Sequence, residues 1–308
     1  MNILMTGATG LLGTTLTQTF SQVGHNVYRL LRHGSAQRDT PPERVFDIPW
    51  MPDHPEIPQL PASPGGHEVH AIINLAGAPV AGGRWTQKRK ALLSSSRIET
   101  TRGVVNAIAH MKTRPRVLIS ASAIGYYGNR GDEVLTESSE AGQGFLAELA
   151  KEWEAEAMKA EALGVRVVLA RLGIILAKHG GALPQMLAPF KFGLGSRLST
   201  GKQWTSWVTL ADVVEIMSRT LEDPKLSGPV NVVSPAPVTN VEFTKVLAEV
   251  LNRPAIFAAP AFVLRLALGE MADGALLASE RVAPKVLQQH GYAFLHSDLR
   301  EALHAILG

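Results

Sequence analysis

Thr6-Gly7-Ala8-Thr9-Gly10-Leu11-Leu12-Gly13 is the stretch that decides the fold. It follows an apolar run, Asn2 to Thr6, that reads as a strand. It opens a pattern in which Leu12, Leu16, Phe20 and Val23 share one helical face, closed by Gly24. Three glycines alone are a weak signal. Set between a first strand and a first helix, they predict a turn that cradles a dinucleotide pyrophosphate. Gly7 permits the tight turn, Gly10 lets the backbone approach the phosphates, and Gly13 lets the helix pack on the strand. Around Thr9, Leu11 and Leu12 the helix start supplies free N–H groups and the positive end of its dipole.

Outward from that turn, short apolar runs alternate with helical patterns. His25 to Leu31, Val69 to Leu75, Arg116 to Ala121 and Val165 to Ala170 read as further buried parallel strands. Two long helices, 86–111 and 144–162, lie between them. This alternation predicts an α/β chain of the Rossmann type, a doubly wound parallel sheet. Residues 1–175 form the expected cofactor domain, with 205–235 returning to it. Residues 176–308 form a smaller C-terminal lobe over the carboxyl ends of the strands, where substrate is expected. Helices are expected at 209–222 and 239–251, and the last part, 250–308, is helical. Six prolines between 48 and 66 mark a surface loop.

Composition narrows the function. A chain of 308 residues can bury a large core. A net charge of +3, with its densest basic run (Gln87 to Lys90) on an amphipathic helix, makes no nucleic-acid footprint. The absence of cysteine excludes disulfides and thiolate chemistry. No His-x-x-x-His or histidine–carboxylate cluster appears, so no metal is expected. No apolar run reaches the roughly 18 residues of a membrane span, and no leader-like segment is read before the first strand. A cytoplasmic protein without a membrane partner is the expectation.

Asn74-Leu75-Ala76-Gly77, Ser120 to Gly128 and Arg171-Leu172-Gly173 resemble three segments of the extended short-chain dehydrogenases/reductases. Arg84-Trp85-Thr86, Gly125-Tyr126-Tyr127-Gly128, Trp153-Glu154, Gly180-Gly181 and Val232-Val233-Ser234-Pro235 sharpen the likeness. The chain resembles the atypical branch called the epimerase family, similar to sugar-nucleotide epimerases, with a C-terminal domain of unassigned role. The resemblance implies cofactor contacts from Asn74, Ala76, Gly77, Ser120, Arg171 and Gly173, and a catalytic serine at Ser122. It also implies a Tyr-x-x-x-Lys pair, but Phe145 and Leu149 stand there, and Lys151 falls about 200° away around the helix. Tyr126 or Tyr127, just past the fifth strand, is the candidate substitute acid, and Glu137 a candidate substrate contact. Lys202, Arg197, Trp204 and Trp207 are read as a substrate wall, and Asp212 as a helix N-cap.

NAD-preferring relatives end the second strand with a carboxylate. Here the sequence reads Tyr28-Arg29-Leu30-Leu31-Arg32-His33-Gly34-Ser35. Arg32 is placed to clamp a 2′-phosphate, with Ser35 or Arg38 assisting, so NADP(H) is preferred and NAD(H) remains possible. Asp47 is a candidate adenine contact. Two functions follow. One is an NADP(H)-dependent oxidoreductase or epimerase acting on a small hydroxy- or keto-substrate, a nucleotide-sugar being one candidate. The other is a non-catalytic nucleotide-binding regulatory protein. A homodimer through the two long helices is expected by analogy alone.

Overall fold

The computed structural model describes residues 1–32, 42–54, 56–57, 60 and 68–308. Ser35 and Arg38 lie outside the described residues, as do four of the six prolines. Five parallel strands come first: β1 (Asn2–Thr6), β2 (Asn26–Leu31), β3 (Val45–Pro49), β4 (Ala71–Asn74) and β5 (Val117–Ala123). The short β6 (Val134–Leu135), then β7 (Arg166–Leu172) and β8 (Ile174–Leu176), follow. The later strands are β9 (Ser196–Leu198), β10 (Trp204–Thr205), β11 (Trp207–Thr209), β12 (Gly228–Val232), β13 (Val238–Thr239), β14 (Phe257–Ala259) and β15 (Arg281–Val282).

Seven of these form one parallel sheet in the order β12-β7-β5-β4-β1-β2-β3. The chain winds outward from β1 to β3, then restarts beside β1 at β4 and winds the other way. The switch point therefore lies between β1 and β4, where open sheets of this class take their ligand. Pro49 ends β3 at the sheet edge, where a missing N–H leaves no ladder bond unmade.

Both faces of the sheet are covered, which is why β1 is buried throughout. Ile3 and Met5 face α1 (Leu11–Gln22), through Leu12, Leu16 and Phe20. Leu4 faces the opposite way, into a cluster with Val104 and Ile108 of α2 (Gln87–His110) and Ala157 of α3 (Phe145–Met158). Of the later helices, α4 spans Leu183–Lys191, α5 Leu210–Glu222 and α6 Asn240–Leu251. The last three are α7 (Ala261–Leu268), α8 (Lys285–Gln289) and α9 (Leu299–Leu307). Helix α5 returns to the face of α1, while α4, α6 and α9 share a separate core with Trp207 and Phe243.

One expected cap differs. Thr209, not Asp212, is the N-cap of α5, its hydroxyl accepting from the Asp212 amide at 3.1 Å. Asp212 sits in the first turn, and its carboxylate accepts from the amides of Leu295 and His296 and from Tyr292. It fastens the C-terminal segment to the body.

Candidate functional site: the switch-point cleft

The loop after β1 and the loop after β4 meet at the switch point. Gly7 adopts a φ of +66°, and a Cβ there would lie 2.6 Å from the Leu75 carbonyl. The two loops approach so closely that no other residue fits. A Cβ on Gly13 would overlap the Gly7 carbonyl oxygen and lie 2.6 Å from the Ala8 Cα, so α1 docks directly on the loop. Thr9 and Gly10 are exposed, Leu11 lies against Gly180 and Gly181, and Leu12 points into the core. No side chain caps α1. Its first amides are left for an anion.

A cleft of about 400 Å³ runs from this loop to the end of β2. Its wall includes Gly7, Thr9, Arg32, Trp50, Ala76 and Gly77. Arg89 of α2 also lines it, held by the Pro79 carbonyl. Part of the Gln87–Lys90 run thus turns inward rather than forming a purely solvated face. Trp50 Nε1 and Arg89 Nε are buried donors with no partner among the described residues. A glycine-walled cradle, a free helix start, an exposed arginine and two unspent donors fit a phosphate-rich dinucleotide. Arg97 secures the far wall by donating to the Ala78 carbonyl at 3.0 Å. Burial, reinforced by the charge of Arg89, lowers its guanidinium to about 10. Asp47 does not reach the cleft as a free group, because Arg29 holds it at 2.6 and 2.8 Å.

Several expected contacts prove to lie behind the cleft. Asn74 is fully buried: it accepts from Thr6 at 2.6 Å and donates to Thr101 at 2.7 Å and Ser120 at 3.3 Å. Ser120 is equally buried. These side chains lace β1, β4, β5 and α2 together and so hold the Ala76–Gly77 loop in place. Gly173 packs against Val233 and the Ser206 carbonyl, and needs its missing side chain for that contact.

Arg171 likewise stands behind the cleft. It lies buried on β7 and forms a two-point pair with Glu154 of α3, both bonds 2.8 Å. Burial opposes its charge, but the bonds and charge of Glu154 outweigh that and hold it above its ordinary value. Ser122 gives its proton to the same carboxylate at 2.5 Å and so braces the ion pair. Tyr127 joins the same network. Its hydroxyl donates to Asn231 at 2.7 Å and accepts from Arg171 at 2.9 Å, with no exposed surface. Burial, partly offset by Arg171, pushes it up to about 12. It is a core group and no acid of the cleft.

Tyr126 remains. It sits in the turn after β5, half-buried, its ring stacked on the Arg171 guanidinium at 3.6 Å. Its hydroxyl has no hydrogen-bond partner among the described residues. On α3, Phe145 meets Trp85 edge-on at 5.3 Å, Leu149 is buried, and Lys151 faces solvent. Glu137 is half-buried rather than exposed, and accepts from the amides of Asn231 and Val286 at 3.1 and 3.2 Å. The expected substrate wall is closed: Trp207 is buried and donates to the Ala236 carbonyl, while Arg281 covers the Trp204 ring at 4.3 Å. Lys202 and Arg197 face solvent. Sequence reading missed Arg89, Arg97, Trp50 and Glu154. Arg89 and Arg97 lie eight residues apart on one helix, a spacing that places them near one face; nothing local marked Trp50, and Glu154 stood only as part of the Trp153-Glu154 likeness, without a role.

A doubly wound sheet with a glycine-rich turn at its switch point defines a dinucleotide-binding fold. Residues 3–233 match the NAD dependent epimerase/dehydratase family, and residues 259–306 match a domain of unknown function. The chain belongs to the NAD dependent epimerase/dehydratase family. It is 39% identical to epimerase family protein YfhF of Bacillus subtilis, over 100% of this chain and 98% of that one. It is 38% identical to epimerase family protein Mb2239 of Mycobacterium bovis, over 98% and 96%. The crystal structure of human epimerase family protein SDR39U1 (isoform 2) with NADPH superposes with a TM-score of 0.86, at 29% identity and covering 99% of both chains. Among the described residues no helix is long and apolar enough to cross a membrane.

Proposed function

We propose that the chain binds NADP(H) along the switch-point cleft and exchanges hydride with a small hydroxy- or keto-substrate. One observation carries the cofactor preference. Arg32, at the end of β2, lines the same cleft as the glycine loop, where NAD-preferring proteins place a carboxylate. Its planar, permanently charged fork suits a 2′-phosphate. The human relative solved with NADPH supports the same reading. Gly7, Thr9, Gly10 and the first amides of α1 receive the pyrophosphate, and Ala76 and Gly77 bound the opposite side. When bound, the nicotinamide supplies the hydride acceptor or donor. Tyr126 holds the exchangeable proton, with Arg171 fixing its ring and Glu154 and Ser122 fixing Arg171.

Calorimetric titration with NADPH and NADH tests this. NADPH is expected to bind, and Arg32→Ala to weaken it by about 1–3 kcal/mol, as for a lost charge-assisted bond, leaving NADH unaffected. Failure of both cofactors to bind would overturn the reading. A second reading, a nucleotide-binding regulatory protein, draws on Phe145 and Leu149 replacing the proton-relay pair. NADPH consumption with a panel of carbonyl compounds, abolished in Tyr126→Phe, supports the enzyme. Tight NADPH binding with no consumption supports the regulator.

A further inference from the structure

Helix α7 buries none of its residues, although its sequence, Ala-Phe-Val-Leu-Arg-Leu-Ala-Leu, is almost wholly apolar. Phe262 is 69% exposed and Leu266 76%. The strand before it adds Ile256, 77% exposed, and Phe257. Strand β14 pairs with β9, the Ser199 amide donates to the Ala259 carbonyl at 2.8 Å, and Gly195 lies against the Pro254 carbonyl. Residues 189–202 and 253–268 therefore share one surface, to which the first segment brings Phe192, 80% exposed, and Leu194. Exposed apolar side chains at both ends of one strand pair, densest on α7, mark a contact site.

Its charge identifies the partner. Neither segment contains Asp or Glu, and together they carry Lys191, Arg197, Lys202, Arg253 and Arg265, all exposed. Only Arg265 is in an ion pair among the described residues, with Asp273 at 2.9 Å. The neighbouring acids Glu249 and Glu270 are engaged by Arg300 and Lys90. Beside the face, a groove of about 540 Å³ gathers Arg197, Lys245 and Arg253 with one acid, Glu249. A second copy of this chain would set these free cations against each other. A surface that is at once apolar and rich in unpaired cations, its few acids each engaged by an arginine or lysine, instead matches the boundary between headgroups and acyl chains.

We propose that this face docks peripherally on an anionic phospholipid bilayer, α7 lying in the interface with Phe262 and Leu266 inserted. The missing apolar run of spanning length excludes only a span, and interfacial docking needs none. The attachment is independent of the cofactor reading.

Flotation of the full chain with vesicles tests it. Binding is expected to phosphatidylcholine mixed with phosphatidylglycerol, to weaken with salt, and to be far weaker to phosphatidylcholine alone. Phe262→Ser with Leu266→Ser is expected to reduce binding at least about tenfold, and Lys191→Ser or Arg253→Ser about fivefold each, from roughly 1 kcal/mol per cation at such a surface. These positions are exposed, and unchanged melting temperatures certify the variants as folded. No binding to the anionic vesicles, or equal binding by the double variant, overturns the proposal. So does a dimer seen by light scattering that the double variant abolishes, which would assign the face to a second copy.

Discussion

Arg171 and Glu154 form a buried two-point ion pair and stand on different elements, β7 and α3. Two charges so deeply buried are tolerable only because each satisfies the other through two bonds, while Ser122 and Tyr127 use the remaining sites. Breaking such a pair from one side leaves an uncompensated buried charge. Glu154→Gln is therefore expected to cost about 3–5 kcal/mol in urea unfolding. A loss below about 1 kcal/mol, the range of an exposed pair, would show that water reaches Arg171. The pair also draws Ser122, Tyr127 and Arg171, all expected to meet substrate or cofactor, into one buried network. All three belong to segments that resemble catalytic or cofactor segments, and each sits at the expected strand end. Which way a side chain turns there depends on a partner from α3 or, for Tyr127, on Asn231 of β12. No local pattern encodes that. Tyr126, one residue away, packs its ring on the same Arg171 but is only half-buried, and its hydroxyl stays outside the network.

At the scale of elements, the sequence was far more informative, because periodicity is a local property. The alternation of buried runs located β1, β2, β4, β5 and β7 within a few residues, and the 3.6-residue spacing located α1, α2, α3, α5 and α6. The short pairs β6–β15, β8–β11 and β9–β14 were illegible, since strands of two or three residues carry no measurable period and exist only through their partners. The cap of α5 was ambiguous, since Thr209 and Asp212 both suit the role and the choice follows from the pull of residues 292–296 on Asp212. The β1–α1 junction was legible in full, down to the need for glycine at 7 and 13. It makes a sharp prediction. In Gly13→Ala, the new methyl meets backbone, which cannot swing aside as a side chain would. Helix α1 must lift from the loop, with an expected loss of about 1–3 kcal/mol in thermal unfolding. NADPH affinity should fall with it, because the amides that receive the pyrophosphate move. A variant that melts and binds like the parent would mean the loop yields freely.

For the whole molecule, the issue is how the late segments close onto the sheet. The chain from 279 to 282 threads between body elements: Ser279 donates to Gly131 and binds Trp204, Ser206 donates to the Glu280 carbonyl, and Val282 packs with Ile124 and Tyr127. Glu280 lies half-buried in this seam, its carboxyl group without a hydrogen-bond partner among the described residues, and the desolvation it does suffer raises it to about 8. Below its ordinary value of 4.5 the group is neutral folded and unfolded, and stability is indifferent to it. Between there and about 8 the unfolded chain releases a proton that the folded chain keeps, so stability falls as pH rises. Above that both forms are charged, and the loss is complete. Glu280→Gln removes the slope while keeping the shape. The variant is expected to match the parent in melting temperature near pH 4 to 5 and to exceed it near pH 9, the gap opening across the window set by the shifted group. An equal difference at both ends would mean that the substitution acts through packing and that charge in the seam costs the fold nothing. A gap that opens as described would show that the folded chain keeps a proton on Glu280, and that charging this seam is what weakens the fold as pH rises.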